Sequence, residues 1–295
     1  MTANPNGDQP VGRFSDRLAR AIDAKRAPVC VGLDPDAGRL DPSIPGAVDP
    51  ERFTAFGRGV IDAVADLVPA VKPQSACYER FGSMGIRSLE NTVRSARDAG
   101  LLVILDAKRG DIGVSARHYA AAASSMGVDA ITVNGYLGAE TVEPYLEAGL
   151  GVFVLVRTSN PGSDDVQSRT LADGQTVAEM MSQQVACLGA NVIGDRGLSD
   201  AGAVVGATKR ADAVSLRRRM PHQMLLIPGV GAQGGTIEDV REMCRPHAER
   251  HGDLGVVINA SRSVIFAEPA GGEPWTEAVR RAARELALES ASLLG

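Results

Sequence analysis

The sequence LLVILDAKRGDIG, residues 101–113, contains an apolar run that ends abruptly in charged side chains. An uninterrupted apolar run of this length is typical of a strand that is covered on both faces of a parallel sheet. Side chains two residues apart on a strand point to the same side, so Asp106 and Lys108 are expected to project together. Asp111 follows within the next loop. The stretch therefore predicts a parallel α/β fold with an acid and a base at the end of one strand.

An ordinary ion-pair cluster is the alternative interpretation of these charges. In that case the acid and the base would only pair with each other, and Asp111 or Ser115 would cap a helix that begins near Ala116. Structural ion-pair networks are common, so the stretch alone does not separate the two interpretations. The rest of the chain has to decide between them.

The 295 residues alternate strands with helices at a spacing of roughly 30 residues. Strands are predicted at 29–33, 70–71, 101–105, 130–133, 151–156, 202–205, 224–227 and 255–258. Eight such units are typical of a single (β/α)8 TIM barrel, predicted here for residues 14–295 after a loose polar N-terminus at 1–13. A doubly wound open sheet is the alternative. The barrel is favoured because its strand order needs no topological switch point.

Polar side chains stand at the carboxyl end of nearly every predicted strand. They are Asp34, Lys72, Asp106, Asn134, Ser159, Gln233 and Arg262. In a barrel these side chains converge on the face where active sites lie, which favours a functional site over an isolated ion pair. The connection at 160–174 is longer than most βα loops, as is typical of a lid or a binding loop.

The last two predicted strands are followed by a candidate phosphate site. PGVGAQGG at 228–235 has four glycines in eight residues, so backbone amides can approach an anion closely. NASR at 259–262 adds the guanidinium of Arg262. The alternative is a pair of glycine-rich turns with a surface arginine. Because the loops after strands seven and eight are the usual phosphate site of this fold, the ligand is predicted to be a phosphate monoester.

The composition of the chain indicates which partners it can bind and in which cellular compartment it is expected. The net charge of −5 and the lack of a basic run argue against nucleic acid, and the short cluster Arg217, Arg218 and Arg219 is interpreted as a solvated helix end. Four cysteines without a C-x-x-C spacing predict small core residues in a reducing cytoplasm and no metal site. The N-terminus is unlike a signal peptide, and no apolar run approaches the ~18 residues of a membrane span.

The motifs and their order resemble the orotidine 5′-phosphate decarboxylase family, in its bacterial subfamily with longer chains. The signature D-x-K-x-x-D is matched by DAKRGDIG at 106–113, and KPQ at 72–74 accompanies it. The resemblance extends over 29–265 through GLDP at 32–35, TSNPG at 158–162, PGVGAQGG at 228–235 and ASRS at 260–263. D-x-K-x-x-D alone is shared with metal-dependent sugar-phosphate enzymes of the same superfamily.

The resemblance implies that CO2 is removed from orotidine 5′-phosphate to give UMP, the last step of pyrimidine synthesis, without a metal or an organic cofactor. In that reaction Lys108 would donate a proton to C6, while Asp106 would lie against the substrate carboxylate. Lys72 and Asp34 would bind ribose hydroxyls and orient the charged groups.

The resemblance also implies roles for residues farther along the chain. Ser159 would hydrogen-bond the pyrimidine ring, Gln233 and Arg262 would hold the phosphate, and Ser115 would contact the ribose. Asp111 would reach into the site of a partner subunit, which implies a homodimer.

Two other functions remain open at the level of the sequence. A magnesium-dependent keto-sugar phosphate decarboxylase or aldolase of the same superfamily would need extra carboxylates as metal ligands, whereas the second strand ends in Lys72. A non-catalytic barrel that binds a phosphate ligand is the more distant alternative.

Overall fold

The computed structural model describes residues 12–231 and 234–294, which form a closed barrel of eight parallel strands. The strands are β1 Val29–Leu33, β2 Ala70–Pro73, β3 Leu102–Arg109, β4 Ala130–Val133, β5 Gly151–Arg157, β6 Ser199–Val205, β7 Gln223–Pro228 and β8 Val256–Ala260. Neighbours in sequence are neighbours in the barrel, and β8 pairs with β1 to close it. The predicted TIM barrel is therefore confirmed, and the open sheet is wrong.

Helices connect the strands and cover the outside of the barrel. Those in the described residues are α1 Phe14–Lys25, α2 Asp49–Val64, α3 Ser75–Glu79, α4 Gly82–Asp98, α5 Gly113–Met126, α6 Glu143–Glu147, α7 Asp164–Gln167, α8 Val177–Gly189, α9 Arg210–Arg219, α10 Ile237–Arg241, α11 Arg262–Ile265 and α12 Trp275–Ala291. Because the strands lie between these helices and the barrel interior, all residues of β1 and β4 are buried.

The apolar spacing at 14–24 predicts a helix that lies across the outside of the body, and helix α1 is packed more deeply than this. Its apolar residues Phe14, Leu18 and Ile22 pack into the same buried cluster as the interior strand residue Phe153. The rings of Phe14 and Phe153 meet edge to face with centroids 5.9 Å apart. A Cβ at Gly151, the first residue of β5, would lie only 2.0 Å from the Phe14 ring. The helix therefore closes the barrel at the end where the strands begin.

The second strand is longer than its apolar run, because Pro73 is part of it. Because proline cannot donate to a ladder, the sequence predicts an irregular backbone over residues 73–79. Pro73 is instead the last residue of β2, in register with Leu33, and the ladder resumes when Gln74 N donates to Leu33 O at 3.1 Å. The residues that follow form the short helix α3.

Two expectations about individual side chains are also wrong. Arg217 is buried, and its guanidinium donates to backbone carbonyl oxygens at 2.7 to 2.9 Å, including those of Met243 and Gly255. It therefore ties α9 to the last two strands, and it is not part of a solvated helix end. Cys30 is a core residue as expected, but Cys187 is exposed.

No helix in the described part of the chain is long and apolar enough to span a membrane.

Candidate active site

A cavity of about 470 Å³ opens at the carboxyl ends of the strands, where the active sites of TIM barrels lie. Each of the eight strands, or the loop that follows it, contributes to its wall. In strand order these residues include Asp34, Lys72, Asp106, Thr132, Leu155, Val204, Pro228 and Arg262. The predicted convergence of strand ends is therefore present in the structure.

Three charged side chains form a continuous array in this cavity. Asp106 Oδ2 lies 2.5 Å from Lys72 Nζ, and Asp106 Oδ1 lies 2.5 Å from Lys108 Nζ. The Lys72 and Asp106 side chains are buried, whereas the Lys108 side chain is 47% exposed. The array therefore has a fixed, buried pair and one ammonium group that reaches into the open cavity.

The charges of the array support one another. Burial raises the pKa of the Asp106 carboxyl, but the ammonium groups of Lys72 and Lys108 outweigh it and lower the pKa from 3.8 to about 2. Burial likewise lowers the pKa of Lys72, while Asp106 and Asp34 raise it, and the net shift is upward. The carboxylate is consequently ionised at neutral pH between two cations.

Thr132 holds the array in place from the neighbouring strand. Its Oγ1 donates to Asp106 Oδ1 at 2.9 Å and accepts from the backbone N–H of Lys108 at 2.9 Å. Gln74 Nε2 donates to Asp106 Oδ2 at 3.3 Å. Sequence reasoning did not select Thr132, although a hydroxyl within the otherwise apolar β4 was the available signal.

The backbone at Lys108 is left-handed, with a φ of 46°. Residues other than glycine rarely adopt this backbone conformation, and such strain is most often found at functional sites. The register between β3 and β4 shifts between Leu105 and Arg109, around this residue. The strand is therefore not a regular pleat at this point. Asp106 and Lys108 nevertheless point into the same cavity, where their side chains are in contact.

Buried polar atoms without a hydrogen-bond partner also border the cavity. Among the described residues these include Asp34 Oδ1, Asn259 Oδ1 and Ser261 Oγ. Buried polar groups are normally hydrogen-bonded, so three such atoms around one cavity indicate a polar ligand. Asn259 and Ser261 were not singled out as site residues from the sequence, although both lie in the NASR motif.

The loops after β7 and β8 also border the cavity, and β7 lies opposite β3 in the order of the eight strands. Gly229 and Gly231 have φ values of 99° and 77°, and the loop is closed by a bond from Gly235 N to Gly229 O at 3.0 Å. Arg262 follows β8 and lines the cavity. Gln233, the other predicted phosphate ligand, lies outside the described residues.

The sequence matches a family profile described as Orotidine 5′-phosphate decarboxylase / HUMPS over residues 27–273. The chain belongs to this family. An orotidine 5′-phosphate decarboxylase from Rhodopirellula baltica is 39% identical over 295 residues, which cover 91% of this chain and 96% of the relative.

Solved structures of this decarboxylase family share the whole barrel. A crystal structure of a Streptomyces avermitilis protein proposed to be an orotidine 5′-phosphate decarboxylase has a TM-score of 0.81 and 38% identity, and the alignment covers 100% of this chain and 99% of that one. Leishmania donovani OMP decarboxylase has a TM-score of 0.78 and 30% identity, over 96% of this chain and 98% of that one. The resemblance inferred from the motifs is therefore confirmed at the level of the family.

Three residues from the sequence-based predictions lie outside the cavity of this family member. Asp111 Oδ1 accepts a bond from the adjacent Ile112 N at 2.8 Å, and Ser115 is exposed in the first turn of α5. The side chain of Asn134 accepts from Tyr136 N at 3.1 Å. Helix α5 begins without a side-chain cap, so the alternative in which Asp111 or Ser115 caps it is wrong.

Within 12–231 and 234–294, no group of three or more histidine, cysteine, aspartate or glutamate side chains is arranged to hold a metal ion. The end of β2 presents the ammonium group of Lys72, and this group contacts Asp106.

Proposed function

We propose that this protein is a carboxy-lyase that converts orotidine 5′-phosphate to UMP and CO2, the last step of pyrimidine synthesis. The observation that carries the proposal is the Lys72, Asp106 and Lys108 array, set across one cavity from two loops suited to a phosphate. The names of relatives that align along nearly the whole chain point to the same reaction.

Lys108 is the proton donor in this proposal. The bond between C6 and the carboxylate breaks, CO2 leaves, and the electron pair remains on C6. The ammonium group of Lys108 stabilises that carbanion and then transfers its proton to C6. The neutral amine regains a proton from solvent, which its partial exposure allows. This proposed reaction needs no oxidant, metal ion or organic cofactor.

Asp106 and Lys72 position this donor. Asp106 stays ionised because its pKa is about 2, so its negative charge lies next to the departing carboxylate and holds the Lys108 ammonium in place. Lys72 neutralises the second carboxylate oxygen from the buried side. As neutral CO2 leaves, the negative charge of the carboxylate moves to C6, and the same pair of cations favours this movement.

The remaining site residues bind the two ends of the nucleotide. Asp34, whose buried Oδ1 lacks a partner among the described residues, accepts from a ribose hydroxyl, and the ammonium group of Lys72 donates to one. Ser159 hydrogen-bonds the pyrimidine ring, and Arg262 holds the phosphate with Gln233. Ser115 contacts the ribose in this proposal only if α5 moves inward when substrate binds.

The active assembly is a homodimer in this proposal, with Asp111 serving the site of the partner subunit. Large apolar side chains next to Asp111 are exposed, including Ile112, Val114 and Tyr136, which is 82% exposed. The loops that carry them are adjacent, since Asn134 N donates to Arg109 O at 2.7 Å. A second copy that covers this surface would bury the apolar side chains and bring the partner's Asp111 towards the cavity.

The compartment is the cytoplasm, and the partners are small molecules. The net charge of −5 does not suit a nucleic-acid ligand. Free cysteines without disulfide bonds in the described residues agree with a reducing compartment.

A spectroscopic assay tests the reaction directly. We expect the ultraviolet absorbance of orotidine 5′-phosphate to fall when the protein is added, at an equal rate with and without EDTA. The magnesium-dependent alternative predicts that EDTA abolishes the activity and that a keto-sugar phosphate is the substrate. No change in absorbance at any protein concentration would contradict the proposal.

A further inference from the structure

The long connection between β5 and α8 has a defined structure, although the proposed mechanism uses only Ser159 from it. A 3-10 turn at Pro161–Ser163 leads into α7, and the chain then returns to α8. Thr158, Asn160 and Gln167 line the cavity together with Ser159. The connection therefore forms one wall of the site and is not only a link between two elements.

Arg157, the last residue of β5, anchors this wall. Its side chain is 5% exposed, and its Nε donates to Asp212 Oδ2 at 2.6 Å. On its other side it donates to Ser163 Oγ at 2.9 Å, to Asp164 Oδ1 at 2.5 Å and to Ser168 Oγ at 2.9 Å. A rigid guanidinium with partners on both sides fixes α7 to the barrel and to α9. Residue 167 is thereby held in a defined place.

The amide of Gln167 has its orientation fixed by Thr158. The Thr158 backbone N–H can only donate, so the atom 2.8 Å from it must be Oε1. Nε2 then donates to Thr158 Oγ1 at 3.0 Å, and that hydroxyl donates to Asn160 Oδ1 at 2.7 Å. An amide nitrogen carries two hydrogens, and Thr158 Oγ1 is its only acceptor among the described residues. The second is available to a ligand in the cavity.

The cavity that this amide lines has an apolar surface that suits a flat heterocycle. Leu155, Val204 and Leu226 give it an apolar surface, and these residues belong to β5, β6 and β7. The charged array lies on one side of this surface, at β2 and β3, and the candidate phosphate loops follow β7 and β8. Ser159 and Gln167 are polar groups at its edge, where ring oxygen and nitrogen atoms need partners.

The geometry points to Gln167 as a substrate-binding residue whose free Nε2 hydrogen donates to a carbonyl oxygen of the pyrimidine ring. This inference rests on the proposed function, because it takes a pyrimidine nucleotide as the ligand. It gives the long connection a role in base recognition, and it makes Arg157 the positioning residue for that contact.

Binding of two ligands by the full-length protein tests the inference, with UMP as the complete nucleotide and ribose 5-phosphate as the ligand without a base. Calorimetry should show that Gln167→Ala raises the Kd of UMP about tenfold and leaves the Kd of ribose 5-phosphate unchanged, as expected for one hydrogen bond. Gln167→Glu keeps an acceptor for Thr158 N–H but has no donor, so it should weaken UMP binding at least as much.

Val166→Ala is the matched control, because Val166 precedes Gln167 in α7 and its side chain is exposed. This variant should leave both Kd values unchanged. If both Gln167 variants keep the wild-type ratio of the two Kd values, or weaken both ligands equally, the inference is wrong and Gln167 only supports the loop. If the wild-type protein itself binds UMP no more tightly than ribose 5-phosphate, the proposed function fails and the inference fails with it.

Discussion

At the scale of single residues, Asp106 determines the charge of the site. Its Oδ2 contacts Lys72, and its Oδ1 contacts both Lys108 and Thr132. Burial by itself favours the neutral acid, so the ionised form depends on the two ammonium groups beside it. Removing the carboxylate would leave Lys72 buried among groups that compensate its charge less well.

Asp106→Asn should lower the free energy of unfolding by about 3 kcal/mol near pH 7, because Lys72 loses its closest counter-ion. The folded carboxyl has a pKa of about 2, below the ordinary 3.8, so its stabilising effect is present above pH 4. That effect is lost as the pH falls from about 4 to about 2. Urea denaturation of both proteins at pH 7 and pH 3 should therefore show a smaller difference at pH 3. An equal or larger difference at pH 3 would contradict the ionised pair.

Lys108→Ala should lower kcat by about 10³-fold or more while changing the Kd of UMP only a few-fold, because the proton donor is lost but the nucleotide contacts remain. The partial exposure of Lys108 makes a large loss of stability unexpected. Arg58→Ala, which removes an exposed cation on α2, serves as the control and should retain full activity. If Lys108→Ala kept more than a tenth of the wild-type kcat, Lys108 could not be the donor.

At the scale of elements, apolar runs predicted where the strands lie better than they predicted where strands and helices begin and end. Strands 29–33 and 130–133 have the predicted bounds, because in them the apolar run and the hydrogen-bonded ladder coincide. Strand β3 continues to Arg109 instead of ending at residue 105, since its charged side chains find partners on β2 and β4. Helix α5 begins at Gly113, with a φ of 53°, earlier than the predicted start near Ala116. Such extensions depend on partners that are distant in sequence.

Arg157→Ala should release α7 and the rest of the connection from the barrel. Asp164 and Asp212 are each partly exposed and can be hydrated, so we expect local opening and not global unfolding. Trypsin should cleave after Arg169, which lies in this connection, about tenfold faster than in the wild type. Mass spectrometry would locate the cleavage, with Arg58→Ala as the control. Equal cleavage rates in all three proteins would show that Arg157 does not anchor the connection.

At the scale of the whole molecule, barrel topology made much of the site predictable. Asp34, Lys72, Asp106, Ser159 and Arg262 line one cavity because parallel strands in a closed barrel bring their carboxyl ends together. The groups that the predictions missed have weaker signals in the sequence, because their roles depend on contacts made in the folded chain. Thr132 and Asn259 lie within buried strands, and Gln167 is placed by an ion pair between residues 55 positions apart.

The same topology places Asp111 just outside the cavity of its own chain, beside an exposed apolar surface. Among the described residues of one chain, the side chain of Asp111 accepts a hydrogen bond from the adjacent Ile112 N and does not reach the cavity. A two-fold interface places equivalent residues of both subunits at the same surface, so each cavity would receive one Asp111 from the other chain. The assembly therefore decides whether Asp111 belongs to the site.

Mixing inactive Lys108→Ala chains with inactive Asp111→Ala chains should restore about a quarter of the wild-type activity, because half of the randomly exchanged dimers are mixed and each has one intact site. The matched control mixes Lys108→Ala with Asp106→Ala. These two residues belong to one chain's cavity, since their side chains are in direct contact, so no mixed dimer has an intact site. Activity should be followed after subunit exchange has been verified by mass spectrometry. No recovery in the first mixture, or equal recovery in both, would show that Asp111 does not act across the interface.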